Sequence, residues 1–265
     1  MEMLHPEWSY QAVLYEMNVR QLTAEGTLRA AAAKLGFLCD MGIDAVWLMP
    51  VYPIGVEGRK GSLGSYYSVR DYCAVDPCLG TMEDFDAFVA EAHRLGMKVL
   101  LDWVANHTAR DARWVTEKPA SWYERDASGA PAVPWDWTDT AKLNYAEREV
   151  WRAQGDAMEF WVREHGVDGF RCDVASSVPL DFWARARQEV EAVRPGCIWL
   201  AESVHGAHVL GLRRQGAYCA TDTELYRAFD MTYDYDIWPW FEGYLSGKNS
   251  LRQYIDMLNL SLIHI

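Results

Sequence analysis

The segment GFRCDV, residues 169–174, decides the fold prediction for this chain. Side chains alternate along a strand, so Arg171 and Asp173 share one face while the residues between them face the other way. Apolar residues at helical spacing precede the segment, and another short apolar run follows at 198–203. Strands that alternate with helices in this way predict a parallel sheet joined by crossover helices.

The same alternation extends along the chain in both directions. Short apolar runs predict strands at 12–19, 45–49, 98–104, 169–174, 198–203 and around 228–233. Helical patterns lie between them, one at 27–41, one that begins at Thr81 and one that Asn144 is predicted to cap. The predicted fold class is therefore α/β, a (β/α)8 TIM barrel that is incomplete because about six βα units are present where a closed barrel has eight.

An irregular stretch rich in Pro and Trp interrupts the pattern after the third predicted strand. We interpret residues 107–143 as a small inserted subdomain, residues 1–106 as the first part of the barrel and residues 144–259 as its continuation. The last six residues, 260–265, resemble a translated adapter from DNA library preparation, and a genuine short tail is the alternative.

Composition excludes some classes of partner. The formal net charge of −13 argues against nucleic acid, because binding to phosphates depends on Lys and Arg. No apolar run reaches the length of a membrane span, and the first residues lack the basic and apolar regions of a secretory signal. The six cysteines form no CxxC pair, which predicts buried free thiols in a reducing compartment. These features together predict a cytoplasmic protein that binds neither nucleic acid nor membranes.

Polar side chains follow three of the predicted strands. In a barrel of parallel strands the carboxyl ends of the strands meet at one face, and that face holds the active site. The polar residues at these ends are Asp102, Asn106 and His107 after the third strand, Arg171 and Asp173 at the fourth, and Glu202 at the fifth.

Two of these carboxyl groups stand in contrasting settings. Arg171 beside Asp173 would keep that carboxylate ionised, as a nucleophile requires, although a structural ion pair is the alternative. Glu202 follows an apolar run, a setting that keeps a carboxyl group protonated as a general acid requires, although a helix-cap or loop carboxylate is the alternative. Taken together, the pair matches the two carboxyl groups that glycoside hydrolysis needs.

At these motifs the sequence resembles the α-amylase family, glycoside hydrolase family 13. Residues 102–107 resemble its D-x-x-x-N-H motif, residues 169–173 its G-x-R-x-D motif, and Glu202 its strand-end glutamate. The loop at 64–72, with the residues up to Thr81, resembles the family's loop after the second strand. The resemblance extends to about residue 258.

The resemblance implies a role for each matching residue. Asp173 would form a covalent glycosyl-enzyme, Glu202 would protonate the leaving oxygen and then activate water, and Arg171 would orient the nucleophile. His107 would hydrogen-bond the sugar bound before the scissile bond, although a loop-packing histidine is the alternative, and Tyr67 would stack beneath that sugar. Two further residues, Asp102 and Asn106, would support the site.

Three features depart from the family pattern. No His-Asp pair of the fourth motif occurs in the chain, so we interpret the chain as a fragment that is inactive by itself, and His264 does not replace that motif. Lys142 stands where an aspartate is expected to bind calcium with Asn106, so no cofactor is required and calcium is possible but not favoured. Residues 174–177 lack the Lys-His of many α-amylases, which makes maltodextrins as plausible as starch.

The sequence thus predicts a retaining glycoside hydrolase that cleaves α-glucosidic bonds in α-glucans or maltooligosaccharides, with carboxyl groups about 5–5.5 Å apart. A transglycosylase of the same family is one alternative. A non-enzymatic sugar-binding barrel is the other.

Overall fold

A computed structural model of the chain describes residues 5–263. Within this range lie the strands β1 (Leu14–Met17), β2 (Ala45–Leu48), β3 (Lys98–Trp103), β4 (His107–Ala109), β5 (Thr140–Lys142), β6 (Gly169–Cys172), β7 (Ile198–Ala201) and β8 (Met231–Thr232). The helices are α1 (Val19–Leu22), α2 (Leu28–Ala32), α3 (Leu35–Asp40), α4 (Met82–Arg94), α5 (Arg113–Glu117), α6 (Arg148–His165), α7 (Leu180–Val193), α8 (Gly206–Arg214), α9 (Asp222–Leu225), α10 (Trp238–Leu245) and α11 (Leu251–Ile263).

Six strands form one parallel sheet in the order β1-β2-β3-β6-β7-β8. Helices connect successive strands, so the predicted α/β class and the incomplete barrel of about six βα units are confirmed. Residue 264 and the end of the predicted tail lie outside the described residues. No helix within residues 5–263 is long and apolar enough to cross a membrane.

The central strands are buried on both faces. Ile198 and Leu200 of β7 pack with Trp47 and Leu100 in a small cluster on one face of the sheet. Trp199, between them, packs on the other face in the large cluster that the helices cover. This two-sided burial is the reason that parallel strands read as continuous apolar runs in the sequence.

Thr81 begins α4 as predicted. Its hydroxyl accepts a hydrogen bond from the backbone of Asp84, and the Asp84 carboxylate accepts one from the backbone of Thr81, which together form a capping box. The prediction for Asn144 was wrong, because α6 begins three residues later with Glu147 as its N-cap. The Asn144 side chain instead closes a turn, accepting from the backbone of Ala146 at 3.1 Å and donating to the Ser121 carbonyl at 2.9 Å.

Two smaller predictions also needed correction. The helix predicted over 27–41 is divided into α2 and α3 by a turn at 33–34. All six cysteines are free thiols as predicted, but Cys73 and Cys78 are exposed because they lie in the loop between β2 and α4 rather than in an apolar element.

The segment between β3 and α6 packs against the carboxyl ends of the strands. Its β4 and β5 pair antiparallel, with His107 opposite Lys142. A separate apolar cluster that includes Trp122, Tyr123 and Leu143 holds the segment together. Since β4 begins four residues after β3 ends, this pairing fixes the segment beside the polar strand ends.

Candidate active site

The polar strand ends meet because β3, β6 and β7 are neighbours in the sheet. The register of β3 and β6 places Asp102 opposite Arg171. Asp173 continues the ladder one residue beyond β6, where its backbone donates to the Trp103 carbonyl at 2.9 Å. Glu202 follows β7 directly. The structure therefore brings together residues from three strands that the sequence had singled out separately.

Arg171 is the centre of this group. Its Nη1 donates to both carboxylate oxygens of Asp102, at 2.9 and 3.1 Å, and to Oδ1 of Asp173 at 3.1 Å. Its Nη2 lies 2.9 Å from Oε1 of Glu202, and its Nε donates to the hydroxyl of Tyr233 at 3.1 Å. One guanidinium group thus contacts three carboxyl groups.

Aromatic rings enclose the guanidinium group. Its central carbon lies 4.8 Å from the ring centroid of Trp47, 5.5 Å from that of Tyr233 and 5.9 Å from that of Tyr67. Cation–π attraction favours this placement, and the rings exclude water from the charge. The Arg171 side chain is only 4 % exposed. Burial alone lowers the pKa of Arg171, but attraction by the three carboxylates outweighs burial and raises that pKa.

Burial also governs the titration of the carboxyl groups. It raises the pKa of Asp102 to about 6 against the attraction of Arg171. It raises the pKa of Asp173 well above the usual range, and repulsion by Asp102 adds to this, while Arg171 opposes it. The sequence prediction that Arg171 lowers the pKa of Asp173 was therefore wrong in its net direction, because it omitted burial and the second carboxylate.

Glu202 is held by a second contact. Its Oε2 accepts a hydrogen bond from the backbone N–H of Val174 at 2.8 Å. Val174 has a φ of 38°, a left-handed conformation that is unusual for a β-branched residue and stores strain. This turn directly after Asp173 aims a backbone donor at Glu202. The two carboxyl-bearing segments are thus coupled through one peptide unit as well as through Arg171.

His107 lies at the edge of the same site, and both of its ring nitrogens form hydrogen bonds. Its Nε2 donates to the Tyr67 carbonyl at 3.1 Å, so its Nδ1 accepts from the Asn106 amide at 3.2 Å. Burial lowers the pKa of His107 to about 4, so the ring is neutral at neutral pH. The Tyr67 hydroxyl donates to Asp102 at 3.3 Å, and burial raises the pKa of that hydroxyl. The residues singled out in these loops therefore contact one another and the carboxylate cluster.

A pocket of about 350 Å³ opens onto these groups. Its size is at the lower end of the range for small-molecule sites. The residues that line it are Lys60, Ser65, Tyr67, His107, Trp137, Asp139, Thr140, Arg171, Asp173, Val174 and Glu202. No motif or spacing in the sequence singled out Lys60, Trp137 or Asp139. The only signals for them were the long loop after β2 and the aromatic content of residues 107–143.

A cationic side chain lines the same cavity as Asn106. The side chain is that of Lys142, whose ammonium group pairs with Glu124 at 3.0 Å. Calcium sites are built from oxygen ligands, so a neighbouring ammonium group repels the ion. Within residues 5–263 no group of three or more His, Cys, Asp or Glu side chains is placed to hold a metal ion.

Comparisons with known proteins place the chain in one family. The family model described as "Alpha amylase, catalytic domain" matches residues 11–138 and 121–206. An alpha-1,4-glucan:maltose-1-phosphate maltosyltransferase from Arcanobacterium haemolyticum is 38% identical over 199 residues, which cover 67% of this chain and 28% of that protein. The alpha-amylase MalA from Haloarcula japonica is 34% identical over 188 residues, which cover 67% of this chain and 27% of that protein.

A solved structure is also similar over nearly the whole chain. The crystal structure of an alpha-amylase from Lactobacillus plantarum aligns with a TM-score of 0.89 at 43% identity, covering 94% of this chain and 59% of that one. The chain spans less than a third of the length of the two curated relatives above.

Proposed function

The chain belongs to the α-amylase catalytic-domain family, and we propose that the protein containing it is a retaining glycoside hydrolase that cleaves α-glucosidic bonds in α-glucans or maltodextrins. The observation that carries the proposal is the double contact of Arg171, whose two terminal nitrogens reach Asp173 at 3.1 Å and Glu202 at 2.9 Å. These contacts bring two carboxyl groups from neighbouring strands to one pocket. A pair of carboxyl groups at the bond to be cleaved is what this reaction requires.

In the first step Asp173 is the nucleophile. Its carboxylate oxygen bonds to the anomeric carbon while the glycosidic bond breaks, and Glu202 gives its proton to the leaving oxygen. Burial favours the protonated form of Asp173 in the free site, but Arg171 opposes this. The positive charge that develops on the sugar also favours ionised Asp173, so the attraction is greatest in the transition state.

In the second step Glu202 acts as a base. It takes a proton from water, the water oxygen bonds to the anomeric carbon, and the bond to Asp173 breaks. Two inversions give overall retention of configuration. The roles of the surrounding residues follow from their contacts: Arg171 orients both carboxyl groups, Asp102 holds Arg171, and Tyr67 and His107 line the wall where the sugar binds, with Asn106 fixing the His107 ring.

Transfer to a sugar acceptor is the second candidate. The maltosyltransferase from A. haemolyticum named above is a relative at 38% identity, and transfer shares the first step of hydrolysis. The acceptor hydroxyl then replaces water. Incubation with a maltooligosaccharide distinguishes the two, because transfer produces chains longer than the substrate.

The test uses Asp173→Asn and Glu202→Gln in the protein that contains this chain. Each substitution should reduce the hydrolysis of maltotetraose by at least about a thousandfold. The exposed Asp40→Asn serves as the matched control and should retain full activity. Proton NMR of the first product should show the α-anomer. Undiminished turnover by Asp173→Asn would refute the assignment, and binding without any turnover would support a sugar-binding barrel instead.

A further inference from the structure

Asp139 is a buried carboxylate without an adequate partner. The residue is 3 % exposed, and its Oδ2 atom has no hydrogen-bond partner among the described residues. Its Oδ1 atom lies 3.7 Å from Nζ of Lys60, which is beyond hydrogen-bond distance. A buried carboxylate without hydrogen bonds is costly, so native proteins almost always satisfy such groups. The unpaired oxygen therefore leaves a hydrogen bond that water or a ligand in the adjoining pocket can supply.

The position of Asp139 indicates where such a ligand would bind. Asp139 lines the same pocket as Asp173 and Glu202, together with Lys60 and Trp137. The Trp137 ring lies 5.2 Å from the His107 ring, measured between centroids. The wall of the pocket thus continues from the reacting carboxyl groups past His107 and Trp137 to Asp139.

The backbone holds Asp139 firmly in this place. Its carbonyl accepts a hydrogen bond from the Ser68 hydroxyl at 3.0 Å, and the next residue, Thr140, begins β5. The Thr140 backbone donates to the Trp137 carbonyl at 2.9 Å, which closes the turn that carries both side chains. Lys60 is tied to the same turn because its Nζ donates to the Asp136 carbonyl at 3.1 Å. The backbone that carries the carboxylate is therefore held in place before any ligand binds.

We propose that Asp139 and Lys60 form a recognition site for the hydroxyl groups of a second sugar unit, next to the unit that reacts at Asp173. The carboxylate accepts hydrogen bonds from neighbouring hydroxyl groups, the ammonium group donates one, and the Trp137 ring provides an apolar surface for the C–H face of the sugar. The ligand class is an α-linked oligosaccharide of at least two units. The inference rests on the proposed function and specifies its substrate.

A purely structural role for Asp139 predicts different effects on stability and on ligand affinity. A structural carboxylate stabilises the fold through its partners, so its loss lowers the unfolding temperature. A carboxylate whose hydrogen bonds form only with a ligand destabilises the free protein and stabilises only the complex. Replacing it with an amide should therefore weaken ligand binding without lowering the stability of the free protein.

The experiment compares Asp139→Asn with Asp136→Asn, an exposed residue in the same turn, both in an Asp173→Asn background that blocks turnover. Isothermal titration with maltotriose should show that Asp139→Asn weakens binding at least about tenfold, because a hydrogen bond to a charged group is lost. Lys60→Met should weaken binding in the same direction. Asp136→Asn should bind like its parent, and the unfolding temperature of Asp139→Asn without ligand should be unchanged or higher.

The outcomes separate the inference from the proposed function. Unchanged maltotriose affinity in Asp139→Asn overturns the recognition site, as does a lower unfolding temperature with affinity intact. Equal losses of affinity in Asp136→Asn and Asp139→Asn also overturn it, because the effect would then be one of charge alone. If the Asp173→Asn parent and the unsubstituted protein bind no maltooligosaccharide, the proposed function itself fails.

Discussion

Replacing Arg171 with Met should destabilise the fold in a way that depends on pH. The substitution keeps much of the side-chain volume and removes the cation that Asp102, Asp173 and Glu202 share. Arg171 is 4 % exposed and Asp102 is fully buried, so water cannot replace the lost contacts. Breaking a buried ion pair while leaving its partner charged costs about 3–5 kcal/mol. Against a typical total stability of about 5–15 kcal/mol, this is a large fraction.

The sign of the pH dependence follows from the carboxyl groups that remain. With Arg171 present the pKa of Asp102 is already about 6, above that of an unfolded chain, and the pKa of Asp173 is also raised. Without the cation both values rise further, so the folded state binds more protons than the unfolded state above about pH 4. Stability then falls as pH rises through the folded pKa values. The cost of Arg171→Met should therefore be largest near pH 8 and smaller near pH 5.

Urea unfolding followed by tryptophan fluorescence at about pH 5 and about pH 8 measures both effects. The matched control is Arg185→Met, which removes an exposed arginine paired with Glu189 on the surface of α7 and should change stability by less than about 1 kcal/mol. A loss below about 1 kcal/mol for Arg171→Met at pH 8 would show that the cluster is not organised around this cation. A loss that grows toward acid pH would reverse the reasoning about the carboxyl groups.

Two further substitutions test the framework of the site. Gly169→Ala should cost more than about 2 kcal/mol in urea unfolding, because a Cβ atom there would lie 2.1 Å from the Ile198 carbonyl oxygen at a φ of 155°. Gly36→Ala is its control in the open surface of α3 and should instead be neutral or stabilising by up to about 1 kcal/mol, so equal effects would contradict the steric explanation. Thr81→Ala should cost about 1 kcal/mol by removing the capping box of α4, and exposed Thr138→Ala should cost nothing measurable by thermal unfolding. A Thr81→Ala protein as stable as its parent would show that the cap adds nothing to the packing of α4.

The sequence pattern was sufficient to predict the parallel sheet and the polar residues at the ends of its strands. Strands buried on both faces produce continuous apolar runs, and a polar residue in the last two positions of such a run or directly after it lies near the carboxyl edge of the sheet. Asp102, Asp173 and Glu202 could therefore be located from local pattern alone. The N-cap prediction for Asn144 was wrong because an Asx turn and a helix cap favour the same residue type.

Contacts between distant segments were not accessible from the sequence. The raised pKa of Asp173 depends on Asp102, which is remote in sequence and adjacent only because β3 and β6 pair. Lys60 and Asp139 approach each other from two loops that share no sequence pattern. Predicting them would have required the path of each loop over the pocket.

The contacts of Glu202 restrict how its carboxyl group can turn. In the free site both carboxylate oxygens are engaged, Oε1 by Arg171 and Oε2 by the backbone of Val174. Each oxygen keeps a second lone pair, so under the proposed mechanism Glu202 could carry the proton for the glycosidic oxygen while both donors stay bound. The peptide unit of Val174 cannot move away without changing the strained turn that follows Asp173. The two donors therefore hold Glu202 in one orientation, so a substrate bound between Glu202 and Asp173 would meet an acid that is already aligned.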